Sequence, residues 1–258
     1  MDLQLKDKVA CVTGSSRGIG RAIAAALLRE GALVMVTGRD EATLDDTTAS
    51  LVKKWGADRV ASYAGDLTQD RIVEGCIESV RIRWGRLDVM VANVGTGRGK
   101  TGWNLSAEAW EGLLSTNLVA SSVIVSKAVP LMRQSGGGSI VLIGSIAGLE
   151  ASPAPIPYAS AKAGLLALNK SLSRELASYN VRVNLVAPGN ILFEGGVWDH
   201  KRRDDAAGVD KYIQAEVPMK RFGTPEEVAD TVVFICSPCA SFMTGACVVV
   251  DGGQVRTW

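Results

Sequence analysis

Seven short runs of almost unbroken apolar, β-branched-rich sequence alternate with longer stretches of helical character, and this alternation constrains the chain more than any other feature. The runs span residues 8–13, 33–37, 59–64, 87–92, 139–144, 181–187 and 246–250. Helices are predicted over 18–30, 41–54, 70–84, 106–133, 158–179 and 225–236. A strand with one wet face alternates apolar and polar residues, whereas a strand covered on both faces reads as a continuous apolar run. Strict β–α alternation with such strands predicts an α/β fold: a doubly wound, Rossmann-type, mostly parallel seven-stranded sheet with helices on both faces. No repeat or linker divides the 258 residues, so 1–258 is read as a single domain. Gly136-Gly137-Gly138 is read as a helix-to-strand turn. Thr224-Pro225-Glu226-Glu227 reads as a helix start: N-cap, proline in the first turn, then acids at the positive end of the dipole. The segment 190–217 is charged and irregular, and it follows the carboxyl end of a strand. A loop of that length in a compact domain is commonly functional, and it is read as a substrate lid.

Composition removes several function classes. Formal net charge is +1, which argues against a nucleic-acid partner or an anionic membrane surface. The first eight residues are charged and lack an apolar core like that of a signal peptide, and no apolar run reaches the roughly 20 residues of a bilayer span. These points predict a soluble, cytoplasmic protein with no membrane partner. The single histidine, His200, and five scattered cysteines offer no metal-ligand spacing, so no metal is expected. Cys236 and Cys239 have redox-pair spacing but fall at a helix end, and are read as coincidence.

The first run leads into Thr13-Gly14-Ser15-Ser16-Arg17-Gly18-Ile19-Gly20 and then a helix. Glycines let a pyrophosphate approach the backbone, and the helix offers free N–H groups and a positive dipole end. This position, after the first strand and before the first helix, makes a dinucleotide-binding turn the expected reading. NAD-binding sheets commonly end the second strand in a carboxylate that holds the ribose 2′-hydroxyl. Here Gly38 stands in that place, Arg39 follows, and Arg17 lies in the turn. Guanidinium groups make charge-assisted contacts with phosphate, so the expected cofactor is NADP(H) rather than NAD(H). Asp40 is read as the cap of the next helix.

Tyr158-Ala159-Ser160-Ala161-Lys162 opens a long helix, and residues i and i+4 share a helix face. A phenol is a weak acid/base near neutrality, and a neighbouring ammonium is expected to lower its pKa. Ser145 ends the preceding strand at the sheet edge where ligands bind, and its hydroxyl can meet a substrate oxygen. The grouping points to acid/base chemistry at an oxygen.

On these residues the chain resembles the classical short-chain dehydrogenase/reductases, over roughly residues 5–253. The glycine turn matches through Gly14, Ser16, Arg17, Gly18, Ile19 and Gly20. Gly65-Asp66-Leu67-Thr68 matches the adenine-binding segment, with Asp66 and Leu67 at the ring. Asn93 and Gly95 fall in a motif usually written Asn-Asn-Ala-Gly, here Ala92-Asn93-Val94-Gly95. Asn117 matches a helix asparagine of the proton relay, and Ser145, Tyr158 and Lys162 match the catalytic triad. Pro188, Gly189 and Ile191 fall in the turn beside the nicotinamide, and Val250-Asp251-Gly252-Gly253 matches the closing motif. Phe193 stands where the family usually has threonine. The resemblance implies a 3-oxoacyl-carrier-protein-reductase-like or sugar-dehydrogenase-like enzyme acting on a small-molecule carbonyl or alcohol. Tyr158 would be the proton donor, Lys162 would hold the phenol and the ribose, Ser145 would orient the substrate oxygen, and Asn117 would serve the relay. It also implies a homotetramer, consistent with the small residues Ala159, Ala161, Ala163, Gly164 and Ala167 along the Tyr158 helix. Two other classes stay in view: a catalytically silent NADP(H)-binding regulator, and a lyase or epimerase using its cofactor transiently. The basic residues near 98–100 and 201–203 are read as solvated surface, with an anionic substrate as the alternative.

Overall fold

The computed structural model describes residues 1–256. Its strands are β1 (Val9–Val12), β2 (Leu33–Gly38), β3 (Val60–Ala64), β4 (Val89–Ala92), β5 (Gly138–Ile143), β6 (Val181–Pro188) and β7 (Cys247–Val250). The helices are α1 (Gly18–Arg29), α2 (Glu41–Trp55), α3 (Asp70–Trp84), α4 (Ala107–Leu114), α5 (Ala120–Gln134), α6 (Ile156–Leu176), α7 (Val197–Asp204), α8 (Ala206–Glu216) and α9 (Pro225–Cys236). The sheet order is β3-β2-β1-β4-β5-β6-β7, and all six pairings are parallel.

In the five inner strands the continuous apolar runs have the cause inferred for them, whereas the edge strands β3 and β7 are partly exposed. Along β1, Ala10 and Val12 face a core formed with α1, α2 and α9. Val9 and Cys11 face the opposite core, formed with α3, α5 and α6. Successive strand residues point to opposite faces, and both faces are dry. Connections leave β1 toward β2 on one side and β4 on the other, so the carboxyl ends of β1 and β4 form the switch-point crevice where open α/β sheets bind ligands.

Two local features depart from the sequence reading. The single helix expected over 106–133 is interrupted by a π-helical turn, Ser115–Val119, between α4 and α5. There the Asn117 side-chain amide donates to the Leu113 carbonyl at 3.0 Å, satisfying an acceptor four residues back. The stretch Ala107–Gln134 is long and apolar enough by composition to span a bilayer; here α5 packs on α3 and β4, and α4 on α6. Segment 190–217 is not irregular: it contains α7 and α8. Asp205 caps α8 by accepting from the Gly208 N–H at 2.8 Å. The start of α9 is as read, with Thr224 and Glu227 forming a reciprocal capping box.

Candidate active site

A cleft of about 900 Å³ opens along the carboxyl edge of the sheet, large enough for a dinucleotide and a small second molecule. One end is walled by the glycine turn, Arg39 and Asp66, the middle by Tyr158 and Lys162, and the far end by α7 and α8.

At the first end the backbone leaves room for phosphate. Gly14 and Gly18 take φ of +60° and +56°, a region that side-chain-bearing residues rarely adopt. A Cβ at Gly20 would collide with the Gly14 carbonyl. Asn93 secures the turn from below: its amide donates to the carbonyls of Thr13 and Gly14, both at 2.9 Å. Gly38 has no space for an acidic side chain, because a Cβ there would lie 2.9 Å from the Ser16 Cβ. Asp40 does cap α2, accepting from the Thr43 N–H at 2.8 Å, and its bonds from Thr43 hold the carboxyl below its usual range. Arg17 and Arg39 are exposed and line the cleft. These residues fit a nucleotide bearing a 2′-phosphate. Asp66 accepts from the Thr68 N–H and hydroxyl at 3.1 and 2.9 Å, with Leu67 buried beside it. Pro188, Gly189 and Ile191 line the wall beyond Tyr158.

In the middle, α6 begins two residues before Tyr158, so Tyr158 and Lys162 lie one turn apart on its cleft side. Lys162 is buried, its ammonium donating to the Ile143 carbonyl at 2.7 Å. Burial lowers its pKa to about 8. Its Nζ sits 5.8 Å from the centre of the Tyr158 ring. Burial raises the Tyr158 phenol above its ordinary value, and the Ser145 hydroxyl beside it acts in the opposite direction. Lys162 is not among the groups that shift the phenol in the nucleotide-free protein: desolvation dominates, and the ammonium donates to the Ile143 carbonyl. Ser145 stands at the end of β5, its oxygen accepting from the Ala147 N–H at 3.1 Å.

Asn117 is wholly buried. Its oxygen accepts from the Thr96 N–H at 2.9 Å and its amide donates to the Thr96 carbonyl at 3.1 Å. Both ends of the side chain therefore fasten the 93–97 loop to the π turn. A Cβ on Gly95 would come within 2.8 Å of Asn117 Oδ1 and 3.4 Å of Lys162 Nζ, so this loop is the common border of the two.

Segment 190–217 runs from the glycine turn to the far end. The Phe193 ring lies on Gly18, where a Cβ would strike it. Trp198 and Tyr212 stack with centroids 5.3 Å apart. Asn190 donates to Gln254 at 2.6 Å, and Gln254 donates to the Tyr212 hydroxyl at 3.1 Å, tying α8 to the body. Sequence reasoning missed Ser152, Trp198, Tyr212 and Gln254; two aromatics within an otherwise charged segment were the available signal. Cys236 is buried and its thiol is pushed up to about 12, while Cys239 is exposed, so the pair has no reactive thiolate on its buried side.

A family profile described as Enoyl-(Acyl carrier protein) reductase matches residues 14–254. Mouse dehydrogenase/reductase SDR family member 4 is 36% identical over 254 residues, covering 96% of this chain and 88% of the relative. The 3-oxoacyl-acyl-carrier-protein reductase FabG of Aquifex aeolicus is 34% identical over 258 residues, covering 98% and 100%. The crystal structure of L-sorbose reductase from Gluconobacter frateurii with NADPH and L-sorbose superposes with a TM-score of 0.92 at 34% identity, over 100% of both chains. Likeness at that level over whole chains makes this protein an oxidoreductase of the Rossmann type, one that transfers hydride at a carbonyl or alcohol carbon. Within that class the chain belongs to the short-chain dehydrogenase/reductase family.

Proposed function

We propose that the protein is an NADP(H)-dependent carbonyl reductase, with Tyr158 as proton donor and segment 190–217 as the substrate lid. One observation carries this reading. Ser145, Tyr158 and Lys162 meet midway along a cleft whose nucleotide end bears two guanidinium groups and has no room for an acid at Gly38. The sorbose reductase complex with NADPH and the reductase name of the bacterial relative support it. The enoyl description of the matching profile concerns a carbon–carbon double bond. Two hydroxyls converging from Ser145 and Tyr158 address an oxygen, which favours a carbonyl.

In reduction, hydride is supplied by the nicotinamide when it is bound. The carbonyl π bond breaks, a C–H bond forms, and the substrate oxygen takes the Tyr158 phenolic proton; the phenolate is then reprotonated from solvent. A raised phenol pKa keeps Tyr158 protonated at neutral pH, the state reduction requires. Ser145 orients the substrate oxygen. Lys162, largely an ammonium below about pH 8, would hold the nicotinamide ribose and face the developing phenolate. Asn117 keeps the 93–97 loop in register with both. Retention of all four residues in one cleft does not favour the silent-regulator reading. We also propose a homotetramer. β7 is an open sheet edge, and Val249 on it is 40% exposed, with Phe242 fully exposed nearby.

The direct test is NADPH absorbance against 3-oxoacyl thioesters, keto sugars and cyclic ketones. Reduction of a member of this panel is expected. Tight NADPH binding with no reduction across it would overturn the enzymatic reading.

A further inference from the structure

We propose that the substrate carries an anionic group, a carboxylate or a phosphate, recognised by Lys201 and Arg98 at the lid end of the cleft. The inference rests on the carbonyl-reductase reading above and assigns its substrate class.

The structure sorts the basic run Lys201-Arg202-Arg203 into two kinds. Arg202 pairs with Asp210 at 3.5 Å, and Arg203 pairs with Asp199 at 2.7 Å, both away from the cleft. Lys201 lines the cleft and has no carboxylate partner among the described residues. Its Nζ rests 4.7 Å from the centre of the Trp198 ring, which fixes the ammonium without neutralising it. A solvated surface stripe would not place its one uncompensated member in the cavity.

Arg98 also lines the cleft and reaches the lid segment that carries Lys201. Its Nη2 donates to the Gly195 carbonyl at 2.9 Å and lies 2.6 Å from His200 Nε2. A guanidinium has five N–H donors in a fixed fork. These contacts engage Nη2, and among the described residues Nε and Nη1 have no partner. The group is thus held by the lid, uncompensated by any acid, with donors to spare for a planar anion.

Chain neighbours of both cations border the Tyr158 ring. Gly97, next to Arg98, lies between the catalytic phenol and the lid: a Cβ there would be 3.8 Å from Tyr158 Cζ and 3.6 Å from Val197 Cγ2. Val197 is one residue from Trp198, against which Lys201 rests. A small molecule with its carbonyl at Tyr158 therefore reaches this end. The cleft lining also includes Ser152, whose buried hydroxyl has no hydrogen-bond partner among the described residues. The carboxylates lining the cleft among the described residues are Asp40 and Asp66, both at the nucleotide end. The acid nearest Lys201 in sequence, Asp199, is taken by Arg203 and by the Gly195 N–H at 2.8 Å. Two cations without an acid partner among the described residues, in lining that carries no acid beyond the nucleotide end, suit a negative group.

The test uses the full chain with saturating NADPH and matched pairs: oxo acids with the carboxylate one to four carbons from the carbonyl against their methyl esters, and phosphorylated ketoses against the parent ketoses. The anion is expected to exceed its neutral partner at least tenfold in kcat/KM, mostly through KM. Lys201→Gln is expected to shrink that ratio about tenfold, the effect of removing one charged contact. The better arm distinguishes carboxylate from phosphate. Equal turnover of acid and ester, or a ratio that survives Lys201→Gln, overturns the proposal. So does a Lys201→Gln variant that weakens NADPH instead, which would assign the cation to the cofactor. Should no carbonyl be reduced, the enzymatic reading fails separately. Calorimetric titration of the same oxo acids and sugar phosphates into NADP⁺-saturated protein then decides. Binding that Lys201→Gln removes supports the anion site, and no binding overturns it.

Discussion

Replacing Lys162 by Met should make the nucleotide-free protein more stable while abolishing most of its turnover. Lys162 is 5% exposed, and among the described residues its ammonium has one acceptor, the Ile143 carbonyl. Its pKa falls from 10.5 to about 8 through burial, corresponding to about 3 kcal/mol against the charged form in the folded state. Met fills similar volume without charge, but leaves the Ile143 carbonyl without its donor, costing about 1–2 kcal/mol. The net gain is about 1–2 kcal/mol, or roughly 2–6 °C in Tm for a chain of this size. The sign with pH follows from linkage. The folded pKa lies below the unfolded one, so the unfolded chain binds more protons between about 8 and 10.5. The penalty is fully present below about pH 8 and fades as pH rises toward 10.5. Scanning calorimetry without nucleotide, at one scan rate, should show the Lys162→Met advantage at pH 7 and its loss or slight reversal at pH 10, where the missing donor to Ile143 outweighs what remains of the charge penalty. A variant less stable than wild type at pH 7, or an advantage independent of pH, would refute the reasoning.

The remaining predictions concern cofactor, pH and assembly. Arg39→Ala should weaken NADPH about ten- to a hundredfold, as loss of one charged contact does, and leave NADH almost unchanged; equal affinities of wild type for the two cofactors would contradict this. For reduction, kcat/KM should be flat below about pH 8 and fall above it as Lys162 loses its proton, because Tyr158 is still protonated there; a rate rising through pH 8 would contradict it. Light scattering at micromolar concentration should give four times the mass of the 27.2 kDa chain, and a monomer would count against the proposed assembly.

The sheet was legible because its physics is one-dimensional: runs such as residues 9–12 are apolar throughout only if both faces are covered. The glycine turn and the Tyr158–Lys162 spacing were legible for the same reason, since each is a local pattern with a mechanical consequence. What failed depends on contacts distant in sequence. The π turn at Ser115–Val119 accompanies bonds from Asn117 to Thr96, 21 residues away, and its sequence is compatible with ordinary helix. Helix α7 is charged along most of its length, so no apolar stripe announces it. The resting place of the Lys162 ammonium was not legible either: i,i+4 spacing fixes only a shared face with Tyr158, and the ammonium donates to the Ile143 carbonyl, 19 residues away. The sorting of Lys201 from Arg202 and Arg203 likewise needed the positions of Asp199 and Asp210.

The central claim is that the Tyr158 hydroxyl delivers the proton. Tyr158→Phe keeps the ring and removes only that group. The measurement is single-turnover oxidation of bound NADPH by a carbonyl substrate, paired with the NADPH dissociation constant of the same variant. General acid catalysis contributes about 10² to 10⁴ in rate. The variant should therefore be slower by at least a hundredfold with NADPH affinity within about threefold of wild type. Retention of more than about a tenth of the wild-type single-turnover rate would contradict the assignment.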